Sequence, residues 1–246
     1  MLNPKKVVSL VPSVTETLID IGLSGSIAAR TKFCIHPKDT VSVIPKVGGT
    51  KNPKVDIIWD MKPDIIIANK EENRMEDIAL LNAYPIYVSD IKNTSDVIHF
   101  LNDMQEIFPD SSAKMVSRKI RNAMETMSEK PVLSVCYLIW RDPWMTIGND
   151  TFIHYMLQKA GFNNVFSGDT RYPVIRSEDI ISKSPDVVML SSEPYPFKEK
   201  HIDEISQLLP DAKIILADGE LFSWYGTRML KFPEYVRKLQ THLGNI

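Results

Sequence analysis

Apolar and polar positions fall into short blocks along this chain, and the blocks of the first half are written again in the second. "VVSLV" (7–11) is a β-branched run stopped by Pro12, the pattern of a buried parallel strand. Ser13-Val14-Thr15-Glu16 then fits a capping box, with Ser13 as N-cap and Glu16 reaching back. Leu18, Ile19 and Ile21 supply that helix's apolar face, and Gly22 its stop. "IAART" reads as a second strand, followed by a polar loop (32–37), the "VGGTKNP" turn and a helix around Val55–Met61. "KPDIIIANKEE" (62–72) and "YPIYVSD" supply two further strands.

In the second half "PVLSVCYLI" is the opening strand, and Asp150 is placed to cap the next helix. The ending of that helix, "LQKAGFNNVF", matches "LIDIGLSGSI" in its Leu, Gly and following apolar residue. "SEDIISKSPDVVML" then matches "KVDIIWDMKPDIII", and "AKIILADGE" takes the place of "YPIYVSD". Most telling is "SPDVVMLSSEP" (184–194), which repeats the order of "KPDIIIANKEE": Pro-Asp, an apolar run, small polar residues, a glutamate. Strands alternating with helices predict an α/β fold of two similar lobes, each with a parallel central sheet.

Between the halves, Ala113, Val116, Ile120, Ala123, Met124 and Met127 recur at helical steps, with Lys and Arg on the other face. Residues 110–112 offer an N-cap and Pro131 forbids continuation. About 18 helical residues would span roughly 27 Å, a rigid connection in place of a flexible linker. The expected organisation is an N-terminal lobe (1–108), a backbone helix (109–130) and a C-terminal lobe (131–246).

Composition narrows the function. The 29 Lys and Arg nearly balance the 31 Asp and Glu, which argues against a nucleic-acid or polybasic membrane role. Cys34 and Cys136 form no CxxC, so they are read as two buried thiols or one disulfide. The five histidines make no HxH or HExxH pair, so no built-in metal cage and no intrinsic cofactor is expected. There is no GxSxG elbow, GxGxxG or GxxxxGK[ST], and hence no catalytic residue to nominate. "MLNPKKVVSLVPS" contains no signal-peptide h-region, and no apolar run is long enough to insert in a membrane. The expectation is a cytoplasmic protein if Met1 is the native start, and a periplasmic or cell-surface one if a signal or anchor was removed.

Ligands of parallel α/β sheets bind beyond the carboxyl ends of the strands. In the first half those ends carry Pro12 and Ser13, then Lys32 and Phe33, then Asn69, Lys70 and Glu71. In the second they carry Trp140, Arg141 and Trp144, Ser192, Glu193 and Tyr195, and Phe222, Trp224 and Tyr225; Arg171 and Tyr172 join this set. Facing lobes would then form a cleft with one polar and one aromatic wall, suited to a flat, partly charged organic ligand. Plainer readings stand beside these. Trp140 and Trp144 could pack a lobe interface, Arg141 could pair with Asp142, Trp224 and Tyr225 could cover the last helix, and Trp59 reads as core.

"VVSLVPSVTETLIDIG", "PKVGGTKNPKVDIIWDMKPDIIIANKEEN", "WMTIGNDTFIHYMLQKAGFNNVF" and "RYPVIRSEDIISKSPDVVML" together resemble the periplasmic-binding-protein family that carries vitamin B12, haem and ferric siderophores to ABC importers. The resemblance implies two α/β lobes on a backbone helix, with a corrinoid, haem or ferric siderophore bound between them without chemistry. It also implies a monomer served by an ABC permease and ATPase. The transporter would dock on an acidic residue of each lobe, Glu72 or Glu76 in the first and Glu199 in the second. A different class stays open: a tetrapyrrole enzyme such as a chelatase, for which His36 beside Cys34 is the nearest candidate, or a ligand sensor without a transporter.

Overall fold

A computed structural model describes residues 4–127 and 133–244. It divides into two compact units, Met1–Asn122 with Trp224–Leu230, and Ala123–Ser223 with Lys231–Ile246.

The first unit runs β1 (Val7–Ser9), α1 (Pro12–Leu18), β2 (Ile27–Arg30), α2 (Lys38–Ser42), α3 (Val55–Met61), β3 (Ile65–Asn69), α4 (Met75–Ala79), β4 (Ile86–Ser89) and α5 (Thr94–Ile107). Its strands form one parallel sheet in the order β2-β1-β3-β4. Val8, Leu10, Ala29, Ile66 and Ala68 of the sheet region pack against Ile58, Ile78 and Leu81. Helix α6 (Ala113–Glu125) follows and contains the division between the units. It buries Ala113, Val116, Ile120 and Met124 while Lys114, Arg118, Lys119 and Arg121 stay exposed, as its periodicity predicts. At 13 residues it is shorter than the expected 18, and positions 128–130 lie outside the described residues.

The second unit comprises β5 (Leu133–Leu138), β6 (Trp144–Met145), α7 (Phe152–Lys159), β7 (Phe162–Asn164), β8 (Val174–Ile175), α8 (Ser177–Lys183), β9 (Val187–Ser191), α9 (Glu199–Leu208), β10 (Lys213–Ala217), α10 (Gly219–Ser223) and α11 (Phe232–Leu243). The main sheet is parallel in the order β7-β5-β9-β10, with β6 and β8 pairing separately as an antiparallel ribbon. In both units the second strand borders the first, then come the third and the fourth. The repeat read in the sequence is therefore a repeat of topology.

The repeated Pro-Asp has a structural purpose. Helices α3 and α8 both end on a left-handed residue, Lys62 (φ 48°) and Ser184 (φ 44°), which turns the chain into the next strand. The aspartate that follows the proline then ties that strand to its neighbour. Asp64 Oδ2 accepts from the backbone N–H of Lys5 (2.7 Å) and Lys6 (2.9 Å), at the entrance to β1. Asp186 Oδ2 accepts from Ser134 N–H (2.7 Å) and its hydroxyl (2.6 Å), in β5. These hydrogen bonds hold both carboxyls below their ordinary range. Beyond the corner, all of β3 and all of β9 is buried, as expected of central parallel strands.

Two expected caps are corrected. Helix α1 starts at Pro12 after Val11, so Ser13 already lies inside it and makes no cap. Its Glu16 is drawn instead to the guanidinium of Arg228. The cap of α7 is Thr151, whose Oγ1 accepts from His154 N–H (3.2 Å). Asp150, one residue earlier, accepts from Arg171 N–H (2.5 Å). Cys34 and Cys136 are both buried free thiols. No helix among the described residues is long and apolar enough to cross a membrane.

Candidate functional site

At the carboxyl end of β1, Pro12 and Ser13 are buried in the start of α1. Thr15 Oγ1 lies 2.8 Å from Ser9 Oγ and 3.1 Å from Cys34 Sγ, and burial pushes the Cys34 thiol up. Past β2, Lys32 and Phe33 are exposed, with Lys32 Nζ 4.9 Å from the Phe33 ring centre. Lys32 N–H donates to Gly48 O (2.7 Å), which holds this loop against the "VGGT" turn. Gly48 has φ +95°, and a Cβ there would press on the backbone of Asn52–Lys54, so only glycine fits.

Past β3 the chain makes a tight polar loop. Asn69 Oδ1 accepts from Glu71 N–H (2.8 Å) and Glu72 N–H (3.2 Å), and its amide group donates to Ser89 O (3.1 Å). Asn73 accepts from Asn69 N–H (2.8 Å) and donates to Leu10 O (3.2 Å) and Thr50 O (2.9 Å). Asn69 is thus buried and organises the loop, while Lys70 is exposed and pairs with Asp90 (3.0 Å). Lys51 Nζ donates to Glu71 O. Glu72 is half-buried; desolvation pushes its carboxyl up, with Lys51 opposing.

Trp224 and Tyr225 belong to this first unit, which corrects their placement with the aromatic second half. Their short segment folds back because Arg228 pairs with Glu16 and Thr227 N–H donates to Thr17 Oγ1 (3.2 Å). The Tyr225 hydroxyl lies 3.1 Å from Ser89 Oγ, and burial pushes it up strongly. Trp224 meets His36 edge-on at 5.6 Å and carries the Arg228 guanidinium at 4.6 Å. His36 therefore faces an indole, and the first unit has its own aromatic component.

At the carboxyl end of β5 in the second unit, Trp140 is 40% exposed and bridges to Met145 across a turn. Its indole meets Tyr195 at 5.6 Å, and Tyr195 meets Phe197 at 4.7 Å. Phe197 lies parallel to Trp144 at 6.2 Å. His201, which sequence reasoning missed, anchors this cluster. Its Nδ1 accepts from Lys198 N–H (2.9 Å), its Nε2 lies 3.3 Å from the Tyr195 hydroxyl, and its ring contacts Phe197. The local signal was its position three residues after Lys198, at the start of α9.

Arg141 lies over Trp144 at 5.5 Å. Its Nε and Nη2 donate to the Glu204 carboxylate (2.9 and 2.7 Å) and its Nη1 to Asp142 (2.6 Å). Glu204 above all, through these bonds, raises the Arg141 pKa. The expected Arg141–Asp142 pair is present, but Glu204 was not legible because it is 63 residues away.

Past β9, Ser192 Oγ accepts from Gly219 N–H (2.9 Å), and Glu193 Oε1 accepts from the Ser223 hydroxyl (2.7 Å). Phe222 is fully buried against Tyr137, Phe232 and Tyr235, so it serves the core of this unit. Arg171 is exposed, 4.0 Å from Asp150, and stacks on Tyr172 at 5.7 Å. Glu76 and Glu199 are exposed in the first turns of α4 and α9. Among the described residues no group of three or more His, Cys, Asp or Glu could hold a metal ion.

The comparisons with known proteins agree with this architecture. The chain is 26% identical over 201 residues to the Bacillus subtilis protein named uncharacterized ABC transporter substrate-binding lipoprotein YvrC, covering 76% of this chain and 63% of that one. It thus spans less than two thirds of that relative's length. It is 24% identical to the vitamin B12-binding protein of Vibrio campbellii, over 76% of this chain and 70% of the relative. Among solved structures, the periplasmic vitamin B12 binding protein BtuF of Vibrio cholerae superposes with a TM-score of 0.83 at 17% identity, covering 100% of both chains. The periplasmic heme-binding protein BhuT, in complex with two hemes, gives 0.80 at 19% identity and 97% coverage of each. The sequence profile described as "Periplasmic binding protein" matches residues 7–208, and the chain belongs to that family.

Proposed function

We propose that this chain is the substrate-binding component of an ABC importer, and that it holds a metal–organic complex, a corrinoid, haem or ferric siderophore, without chemistry. The observation that carries the reading is the exposed indole of Trp140 at the carboxyl end of a parallel sheet, backed by Tyr195 and Phe197. Such a surface takes the face of a large flat ligand. The first unit carries its own polar loops, around Lys32, Lys70 and Glu71, at the carboxyl ends of its strands. The names of the relatives, for vitamin B12 and heme, support the same ligand class.

The partners of this reading are a permease and an ATPase, and the protein acts as a monomer at the periplasmic or cell-surface side. Glu76 and Glu199, exposed at helix starts, are the docking carboxylates, in preference to Glu72, which is half-buried. The test is titration of the purified chain with cobalamin, haemin and ferric siderophores, followed by tryptophan fluorescence. Saturable quenching by at least one complex is expected. Unchanged fluorescence and no calorimetric signal with all of them would overturn the proposal.

A further inference from the structure

Arg141 is a cation set among the aromatic rings of the second unit, yet it is not offered to an anion. The Nε–Nη2 edge of a guanidinium is the edge that clamps a carboxylate in bidentate fashion. Here Glu204 of α9 already fills it, at 2.9 and 2.7 Å, and Asp142 takes Nη1 at 2.6 Å. Neighbouring strand ends add further carboxylates: Glu193 after β9 and Asp218 after β10. Glu193 and Asp218 are themselves turned to local donors, the Ser223 hydroxyl and Leu221 N–H. The side chains of Arg141 and Glu204 remain 29% and 36% exposed, so a ligand on the Trp140 face would meet their joint charge.

We propose that Glu204 is a specificity-determining residue: by occupying Arg141 it sets this face to accept metal–organic complexes without net negative charge and to reject anionic ones. Rejection is the device here, because a buried or half-buried charge left without a counter-charge costs more than a neutral contact gains. The inference rests on the carrier reading above and names the charge class of its ligand.

The test compares a neutral ferric trihydroxamate and neutral cobalamin with a trianionic ferric tris-catecholate, in the wild type and in Glu204→Gln. The wild type should bind the better neutral complex at least about tenfold more tightly than the trianion, and Glu204→Gln should close about tenfold of that gap by freeing the clamp edge. A circular dichroism spectrum and thermal melt of Glu204→Gln that match the wild type show that the variant is folded. If Glu204→Gln fails to fold, Asp142→Asn, at a side chain 82% exposed, removes the other carboxylate and should close part of the gap. A wild type that takes the trianion as tightly as the neutral complexes, or a gap that neither variant changes, overturns the inference and leaves the carrier reading standing. A wild type that binds none of the complexes overturns both.

Discussion

Glu16 and Arg228 meet as a bidentate ion pair, Nε to Oε2 at 2.7 Å and Nη2 to Oε1 at 2.9 Å, although 212 residues separate them. Both side chains are buried, at 5% and 8% exposure, so the pair offsets the desolvation of both charges. The pair returns the segment Trp224–Leu230 to α1 of the first unit. Glu16→Ala or Arg228→Ala should each destabilise the protein by about 3–5 kcal/mol, because each removes one half of a buried, bidentate ion pair. Urea denaturation checks this, and losses below about 1 kcal/mol in both would show that the pair does not hold the segment.

Gly226 sits in the same segment with φ +88°, and a Cβ there would run into Thr17 Oγ1. Gly226→Ala should therefore lower stability by about 1–3 kcal/mol through backbone strain and contact together. Thr17→Ala removes the Oγ1 contact but also the acceptor of the Thr227 N–H bond. Thermal unfolding should therefore show the cost of Gly226→Ala smaller in the Thr17→Ala background than in the wild type, but not abolished, because the backbone strain remains.

Recognition and packing should separate cleanly between two aromatic residues of the second unit. Trp140→Ala should weaken ligand binding by about 1–3 kcal/mol and lower the melting temperature less than loss of a core ring does, since Trp140 is 40% exposed. Phe222→Ala should do the reverse in kind, costing about 3–5 kcal/mol of stability through a core cavity. Calorimetric titration paired with thermal melts of both variants distinguishes the two. A Trp140→Ala protein that melts early but binds normally would return Trp140 to a packing role.

The aspartate corners make a prediction about acid. The Asp186 carboxyl is held below its ordinary value of 3.8 by the Ser134 hydroxyl and N–H. A depressed folded-state pKa contributes stability that is present above 3.8 and is lost as pH falls through the lower folded-state value. Asp186→Asn should be less stable than the wild type at neutral pH, and the difference should shrink as pH drops below 3.8. Parallel denaturation curves across the acid range, with a constant difference between the two proteins, would count against the linkage.

What the sequence made legible follows from distance along the chain. The β-branched runs, Pro12, and the Pro-Asp corners act within a few residues, so β1, β3, β5 and β9 could be placed from local pattern alone. The repeat read in the sequence reappears in the structure as the same strand order in both sheets, an order that the sequence reading itself did not supply. The Glu16–Arg228 pair and the Arg141–Glu204 clamp join distant residues, and no spacing rule announces them. For that reason Glu16 read as a cap, Trp224 and Tyr225 were placed with the second half, and Glu204 was passed over. Phe222 misled for a related reason: it lies in the same strand-end stretch as exposed residues, but the rings of Tyr137, Phe232 and Tyr235 close over it.

The two aspartate corners lie at the amino ends of β3 and β9, whereas the loops carrying Asn69 and Glu193 lie at the carboxyl ends. Each strand thus keeps its folding instructions at one tip and its chemistry at the other, about five residues apart. A copy of such a unit inherits a working anchor at one tip, separate from the side chains at the other. One half could then specialise in aromatic rings and the other in amides and lysines, with neither change passing through the residues that decide whether the sheet forms.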